Sequence, residues 1–403
     1  KKCPLSMCLI CCPIPKDKGT GTMSTTLPAK RTAEGEEKVS SPMCSNDSKP
    51  IERFNLNPRY CSVLKAGNMV YFAGLVADDL TKDAKDQTIQ ILSKADALMS
   101  EHNLTKTNIL SASIWLKDIQ ADFSKLNGAW EAWMDSENPP VRAAVQGALM
   151  TSDHLVEIQF TFQTSDQQIE RFEKGLLYSL IAKSAGVTYF AGMIADDLSL
   201  DSKGQTEQIL AKAQDLMNNY DLKKSDIIAA TIWLKDIQAD FGNLNEVWES
   251  WVDQENLPVR ATVGSALLSE AHLVEIQFTF QPPTEQIPIE RFSPNGRYCS
   301  VVKAGEKTYF AGLVADDLSQ DALGQVQQVL EKADKLMTEH NLAKQSMISS
   351  TVWLKNMAED FGTLNSVWEG WIDSENPPVR ASVEGGLMTE AHLVEIQLTF
   401  FEA

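Results

Sequence analysis

Three Arg–Glu pairs at one fixed spacing are the residues of this chain best suited to chemistry. Arg142 precedes Glu157, Arg260 precedes Glu275 and Arg380 precedes Glu395, fifteen residues apart each time. A guanidinium fork grips a planar carboxylate through two parallel hydrogen bonds. A carboxylate can hold a water and take its proton. Spacing alone equally permits a structural ion pair, Arg142 with Glu157 for example, at a domain seam, because buried charges are usually paired.

The pairs recur because the chain repeats. IERF begins at Ile51, Ile169 and Ile289, YFAG at Tyr71, Tyr189 and Tyr309, and PVRA at Pro140, Pro258 and Pro378. HLVEIQ begins at His154, His272 and His392. The period is 118 and then 120 residues, far above the roughly 20–50 of solenoid repeats, so these are tandem domains. The expected bounds are 51–165, 169–283 and 287–403, joined by the short linkers Gln163–Gln168 and Gln281–Pro288. Each copy holds three of the nine Trp, as Trp115, Trp130 and Trp133 in the first. These are expected to pack helix faces or interfaces.

Within the first copy, Tyr60–Lys65 and Val70–Val76 read as strands joined by the turn residues Gly67-Asn68. Asp86–Ser100 and Ala121–Asp135 carry apolar residues at helical spacing, and Leu110–Leu116 between them alternates as a strand does. Val141–Leu149 and Leu155–Phe162 read as a closing hairpin. The order is ββαβαββ, an α+β layer with its helices on one face. Alternation along the hairpin predicts that Val141, Ala143, Val145, Val156, Ile158, Phe160 and Phe162 face the helices. Arg142 and Glu157 then share the opposite face with Gln159 and Thr161. Three like domains packed through that face predict a single-chain pseudo-trimer with helices outside, a monomer with charged clefts at its seams.

Charge narrows the partners. The formal net charge is −19, and the first 50 residues are +3, so the other 353 carry −22. Such a surface lacks the basic patch that nucleic acid requires and is repelled by anionic membranes. No apolar run approaches the roughly 18–20 residues of a membrane span. Five of the seven Cys lie before residue 50, and Ser179 stands where the other copies have Cys61 and Cys299. No disulfide is built into the repeat, which points to a reducing, cytoplasmic location. Residues 1–50 have the composition of a disordered extension. They begin with Lys1, and Met23 is a plausible start.

Other residue groups have ordinary uses. Ala77-Asp78-Asp79 and its equivalents suit a loop leaving a strand better than a metal pair. His154, His272 and His392 have no Cys or His neighbour at ligand spacing and read as strand-start residues. Neither metal nor cofactor is expected.

The run PVRAAVQGALMTSDHLVEI resembles the C-terminal signature of the Rid (reactive intermediate deaminase, YjgF-like) family. All three copies fit it, over residues 51–403. The WExWxDxENPPVRA stretch is more similar to a bacterial YjgF-related subgroup than to the best-studied deaminases. The resemblance implies a chorismate-mutase-like fold and trimers with clefts between subunits, here fused into one chain. It implies hydrolysis of 2-imino or 2-enamino acids such as 2-iminopropanoate, with no cofactor, or binding of a small carboxylate or a partner protein without turnover.

By the same resemblance, Arg142, Arg260 and Arg380 would grip the substrate carboxylate, and Glu157, Glu275 and Glu395 would place the attacking water. Tyr60, Tyr178 and Tyr298 would line the clefts, with Asn127, Asn245 and Asn365 from the second helix and Gly74, Gly192 and Gly312 from the second strand. On residue type alone the Tyr could be interface aromatics and Asn127 a backbone cap. Two departures stand out. Ala73, Ala191 and Ala311 replace the Ser of active deaminases, and Ala144, Thr262 and Ser382 replace a Cys. The second copy, with Glu173–Leu177 and Leu257, departs most from the others, so its seams are expected to be the weaker sites.

Overall fold

The computed structural model describes residues 51–164 and 168–402. The expected disordered extension, residues 1–50, lies outside the described residues. The first copy runs β1 (Glu52–Leu56), β2 (Cys61–Ala66), β3 (Met69–Phe72), β4 (Leu75–Val76), α1 (Ala84–Glu101), β5 (Ile109–Leu116), α2 (Ile119–Trp133), β6 (Val141–Gln146) and β7 (Val156–Gln163). The second copy repeats this from β8 (Glu170–Lys174) to β14 (Val274–Phe280), with α3 (Ser202–Asn219) and α4 (Ile237–Trp251). The third runs from β15 (Ile289–Pro294) to β21 (Val394–Phe401), with α5 (Ala322–Glu339) and α6 (Met357–Trp371). Each copy is an α+β unit built on one seven-stranded sheet.

Local chemistry sets the helix limits. Asp83 caps α1 by accepting from Asp86 N at 3.0 Å, and Asp118 caps α2 by accepting from Ala121 N at 3.0 Å. Pro139 and Pro140 keep the segment just before β6 out of helix. Fully buried Gln87 on α1 donates to Asp153 O at 2.9 Å and accepts from Leu155 N at 3.0 Å. That amide fastens the start of β7 to the helix layer. Gln205 and Gln325 repeat it.

The sheet corrects three expectations. The edge strand β1 was not anticipated; its mostly exposed side chains carry no alternation signal. The last two strands are not a hairpin. The order is β1-β2-β3-β7-β5-β6, with β5 between them. β6 lies parallel to β5 because α2 connects them as a crossover, while β7 returns antiparallel on β5's other side.

The third correction concerns the faces. Ala112 is paired with both Arg142 and Phe160, and Trp115 with both Val145 and Glu157. Arg142 therefore lies on the helix face with Phe160. Glu157 lies on the opposite face with Ala143 and Val145. Because β6 is buried on both faces, its apolar alternation does not say which is which, and reading it as a hairpin partner inverts it.

The copies meet in cyclic order. Ser179 N donates to Pro140 O at 2.9 Å, Cys299 N to Pro258 O at 2.8 Å, and Cys61 N to Pro378 O at 3.0 Å. Arg171 of the IERF motif donates to Thr107 O and Ile109 O of the preceding copy, both at 2.8 Å. Arg291 and Arg53 make the equivalent contacts. Where the three sheets converge, Trp115, Trp233 and Trp353 form one buried cluster with Ala143, Val145 and their equivalents.

Candidate functional site

Each seam brings the expected residues together, but from two copies. In the first seam Arg142 on β6 comes from copy one. Its Nη1 donates to Asn127 Oδ1 on α2 at 2.9 Å. Its Cζ lies 5.5 Å from the Trp130 ring, 5.6 Å from Phe123 and 5.6 Å from Tyr178, the last from copy two. Gly192 N of copy two donates to the Arg142 carbonyl at 3.0 Å. The carboxylate that acts on Arg142 is Glu275, also from copy two.

The second seam repeats the arrangement with Arg260, Asn245, Tyr298, Gly312 and Glu395. The third closes the cycle with Arg380 and Asn365 from copy three and Tyr60, Gly74 and Glu157 from copy one. The alternative of an Arg142–Glu157 ion pair does not hold, because these side chains serve different seams. Asn127 serves neither as cap nor as backbone partner; it fixes the guanidinium.

The environment makes these charges costly. Arg142, Arg260 and Arg380 are 5%, 4% and 6% exposed. Burial pulls each guanidinium down to about 10, still charged at neutrality. Burial pushes Glu157, Glu275 and Glu395 up to about 8, against the pull of the facing Arg. Arg260 Nε and Nη1 and Arg380 Nη1 are buried without a hydrogen-bond partner, as are the hydroxyls of Thr262 and Ser382. Buried donors are normally satisfied, so these seams hold donors arranged for something that accepts.

The glycines follow from the carboxylates. A Cβ on Gly74, Gly192 or Gly312 would overlap an oxygen of Glu157, Glu275 or Glu395 respectively. The Glu side chain lies directly on that backbone, and only Gly admits it. Trp130 Nε1 donates across the seam to Leu177 O at 2.8 Å, and Trp248 and Trp368 repeat this. The second Trp of each copy is thus both core and seam.

The remaining motifs have structural uses. Asp79 Oδ1 accepts from Thr81 N at 3.1 Å and Oγ1 at 2.6 Å, a turn, and Asp78 meets Lys94 at 2.6 Å. Among the described residues no group of three His, Cys, Asp or Glu could hold a metal. His154 Nδ1 bonds Thr151 Oγ1 at 2.7 Å beside the start of β7. Cys61 and Cys299 are buried free thiols, and Ser179 in their place donates to Pro139 O at 2.7 Å. No helix among the described residues is long and apolar enough to cross a membrane. The larger cavities lie away from the Arg clefts: one of about 690 Å³ beside Lys303–Lys307, and one of about 480 Å³ among Gly147, Gly264 and Gly386.

Sequence reasoning missed the IERF arginines as seam residues. Their signal was present: one Arg at the same place in all three copies.

Comparison with known proteins agrees with this architecture. The profile described as Endoribonuclease L-PSP matches residues 51–163, 170–280 and 288–400. A RutC family protein of Haemophilus ducreyi is 36% identical over 117 residues, 29% of this chain and 99% of its own length. The RutC family protein YoaB of Escherichia coli is 37% identical over 109 residues, 27% of this chain and 94% of its own. A solved YjgF-family structure from Neisseria meningitidis covers 30% of this chain and 98% of its own, at 30% identity and a TM-score of 0.29. A chorismatase structure covers 73% of this chain and 93% of its own, with a TM-score of 0.52 at 11% identity, a likeness of fold. The chain therefore belongs to the Endoribonuclease L-PSP (YjgF/Rid) family and carries three of its domains in tandem.

Proposed function

We propose that the three seams are carboxylate-binding clefts in which 2-imino or 2-enamino acids are hydrolysed to 2-oxo acids and ammonia, within a single-chain counterpart of a trimer. The observation that carries this reading is the buried guanidinium with unpartnered N–H groups, clearest in Arg260 and Arg380. A substrate carboxylate would accept from those groups while Asn245 or Asn365 holds the fork in plane.

With the carboxylate fixed, the adjacent C2 carbon is presented to the facing Glu. That Glu, in its ionised form, holds a water and accepts its proton as the oxygen bonds to C2 and the C=N bond opens. Glu returns that proton to the nitrogen. The new C2 hydroxyl then gives its own proton to the nitrogen as C2=O forms and the C–N bond breaks, and ammonia leaves with the 2-oxo acid behind. A group titrating near 8 is well matched to moving a proton in both directions near neutrality. Orientation alone can supply up to about 7–11 kcal/mol of barrier lowering, and the step needs no metal or redox group.

The family name refers to ribonuclease activity. The charge of −22 over residues 51–403 argues against RNA as this chain's substrate. A second reading, carboxylate binding without turnover, is favoured by Ala73, Ala191 and Ala311, all buried or nearly so where active deaminases have Ser.

The test is ammonia release while an amino-acid oxidase generates 2-iminopropanoate. The protein should accelerate it, and Arg142→Ala/Arg260→Ala/Arg380→Ala should not. Equal rates for protein and buffer, with carboxylate binding retained, would leave the binding reading instead.

A further inference from the structure

The three sheets also enclose a cavity that the Arg clefts do not use. It has a volume of about 120 Å³ and is lined by residues of all three copies. At about 30 Å³ per water in the liquid it has room for about four. Tyr71, Tyr189 and Tyr309 stand at equivalent places around it. Each is paired across the strands with a threonine, Thr161, Thr279 or Thr399.

The symmetry fails at one side chain. Lys307 lines the cavity from copy three, where copies one and two have Met69 and Val187. Its Nζ is 5.8 Å from the Tyr71 ring centre. Burial opposes its charge, and a hydrogen bond to the Tyr71 hydroxyl supports it beside the oxygens of Tyr189 and Tyr309. Burial also raises Tyr189 and Tyr309, so both remain protonated phenols at neutrality. No ion pair among the described residues includes Lys307. The cavity therefore gathers one cation and several O–H donors and holds no carboxylate to balance them.

We propose that this cavity is a binding site for one small monovalent anion, held by the Lys307 ammonium and the hydroxyls of Tyr71, Tyr189 and Tyr309. A half-buried cation is favoured by a counter-charge, and neutral phenols are donors to an anion. Entry is available, because Lys307 and Tyr189 also line the adjoining cavity of about 690 Å³. Glu290, Glu306 and Glu402 stand there beside Lys303, and their charge disfavours polyanions. Three identical chains would place three ammonium groups around one point, where like charges repel. A tandem chain can carry one, so the site depends on the copies having diverged.

The test uses bromide, which scatters anomalously. Crystals of the full chain in sodium bromide should show one anomalous peak within hydrogen-bond reach of Lys307 Nζ, and crystals of Lys307→Met should lack it. In solution, the melting temperature of wild type relative to Lys307→Met and Lys307→Val should rise as bromide replaces, at constant ionic strength, a counter-anion that is neither nitrate nor a carboxylate. Both variants carry the residues of the sister copies and so suit the fold, and neither should show that bromide-dependent gain. Both variants should hydrolyse 2-imino acids as wild type does, because Lys307 touches no Arg cleft. An empty cavity in bromide-grown wild-type crystals, or the same bromide-dependent rise in both variants, would overturn the proposal.

Discussion

Arg142 and Glu275 face one another across a seam although 133 residues separate them in the chain. Glu157, the carboxylate fifteen residues from Arg142, instead faces Arg380. Every cleft thus draws its guanidinium and amide from one copy and its carboxylate, Tyr and Gly from the next. No copy holds a complete site.

This arrangement gives a mutational signature. If the clefts act alike and independently, Glu157→Gln alone should leave about two thirds of the activity. Adding Arg380→Ala should change little, because both changes strike one cleft. Adding Arg142→Ala should lower activity to about one third, because a second cleft is lost. Steady-state kcat per chain for the three proteins distinguishes these outcomes. Equal kcat in the two double variants would contradict the cyclic pairing.

The pH dependence of activity follows from the carboxyls. With Glu157, Glu275 and Glu395 pushed up to about 8 by burial, the water-activating form is scarce at pH 6. We expect kcat/KM to rise with pH and level off above about 8. A Gln at all three positions should abolish the limb along with most of the rate. A profile flat from pH 6 to 9 would argue against these residues as the base.

The same shift predicts a stability change. A carboxyl near 4.5 when unfolded and about 8 when folded binds its proton more tightly in the folded state. Its stabilising contribution is complete below 4.5 and is lost as pH rises through about 8. Denaturant midpoints should therefore fall between pH 6 and 9. They should fall less in Glu157→Gln/Glu275→Gln/Glu395→Gln, whose amides do not titrate. Equal slopes for the two proteins would be inconsistent with raised carboxyls.

Much of this was legible in the chain. Repeated spacing exposed the copies and their recurring Arg and Glu, and the resemblance to the Rid family added the Tyr, Asn and Gly as cleft residues. What spacing did not carry was which face Arg142 occupies. β6 is buried on both sides, by its own α2 and by the neighbouring copy, so alternating Val and Ala along it look the same from either. The partner of each Arg was hidden for a related reason, because it depends on the direction in which the copies join. Lys307 gave a signal only by contrast with Met69 and Val187, and its meaning required the cavity.

The glycine beneath each carboxylate can be tested in isolation. Gly74→Ala would force Glu157 off its place, because the added Cβ overlaps its oxygen. The expected cost is about 1–3 kcal/mol of stability, with loss of the cleft that contains Arg380. A variant with wild-type melting and undiminished activity would show that Glu157 does not need that position.

The most direct measurement is a crystal structure of the full chain with 2-oxopropanoate, the product of the simplest substrate. The account predicts its carboxylate against Arg260 beside Asn245, with C2 turned toward Glu395, and the same pose at the other two seams. A 2-oxopropanoate bound only elsewhere, with the guanidinium N–H groups still unpartnered, would contradict it.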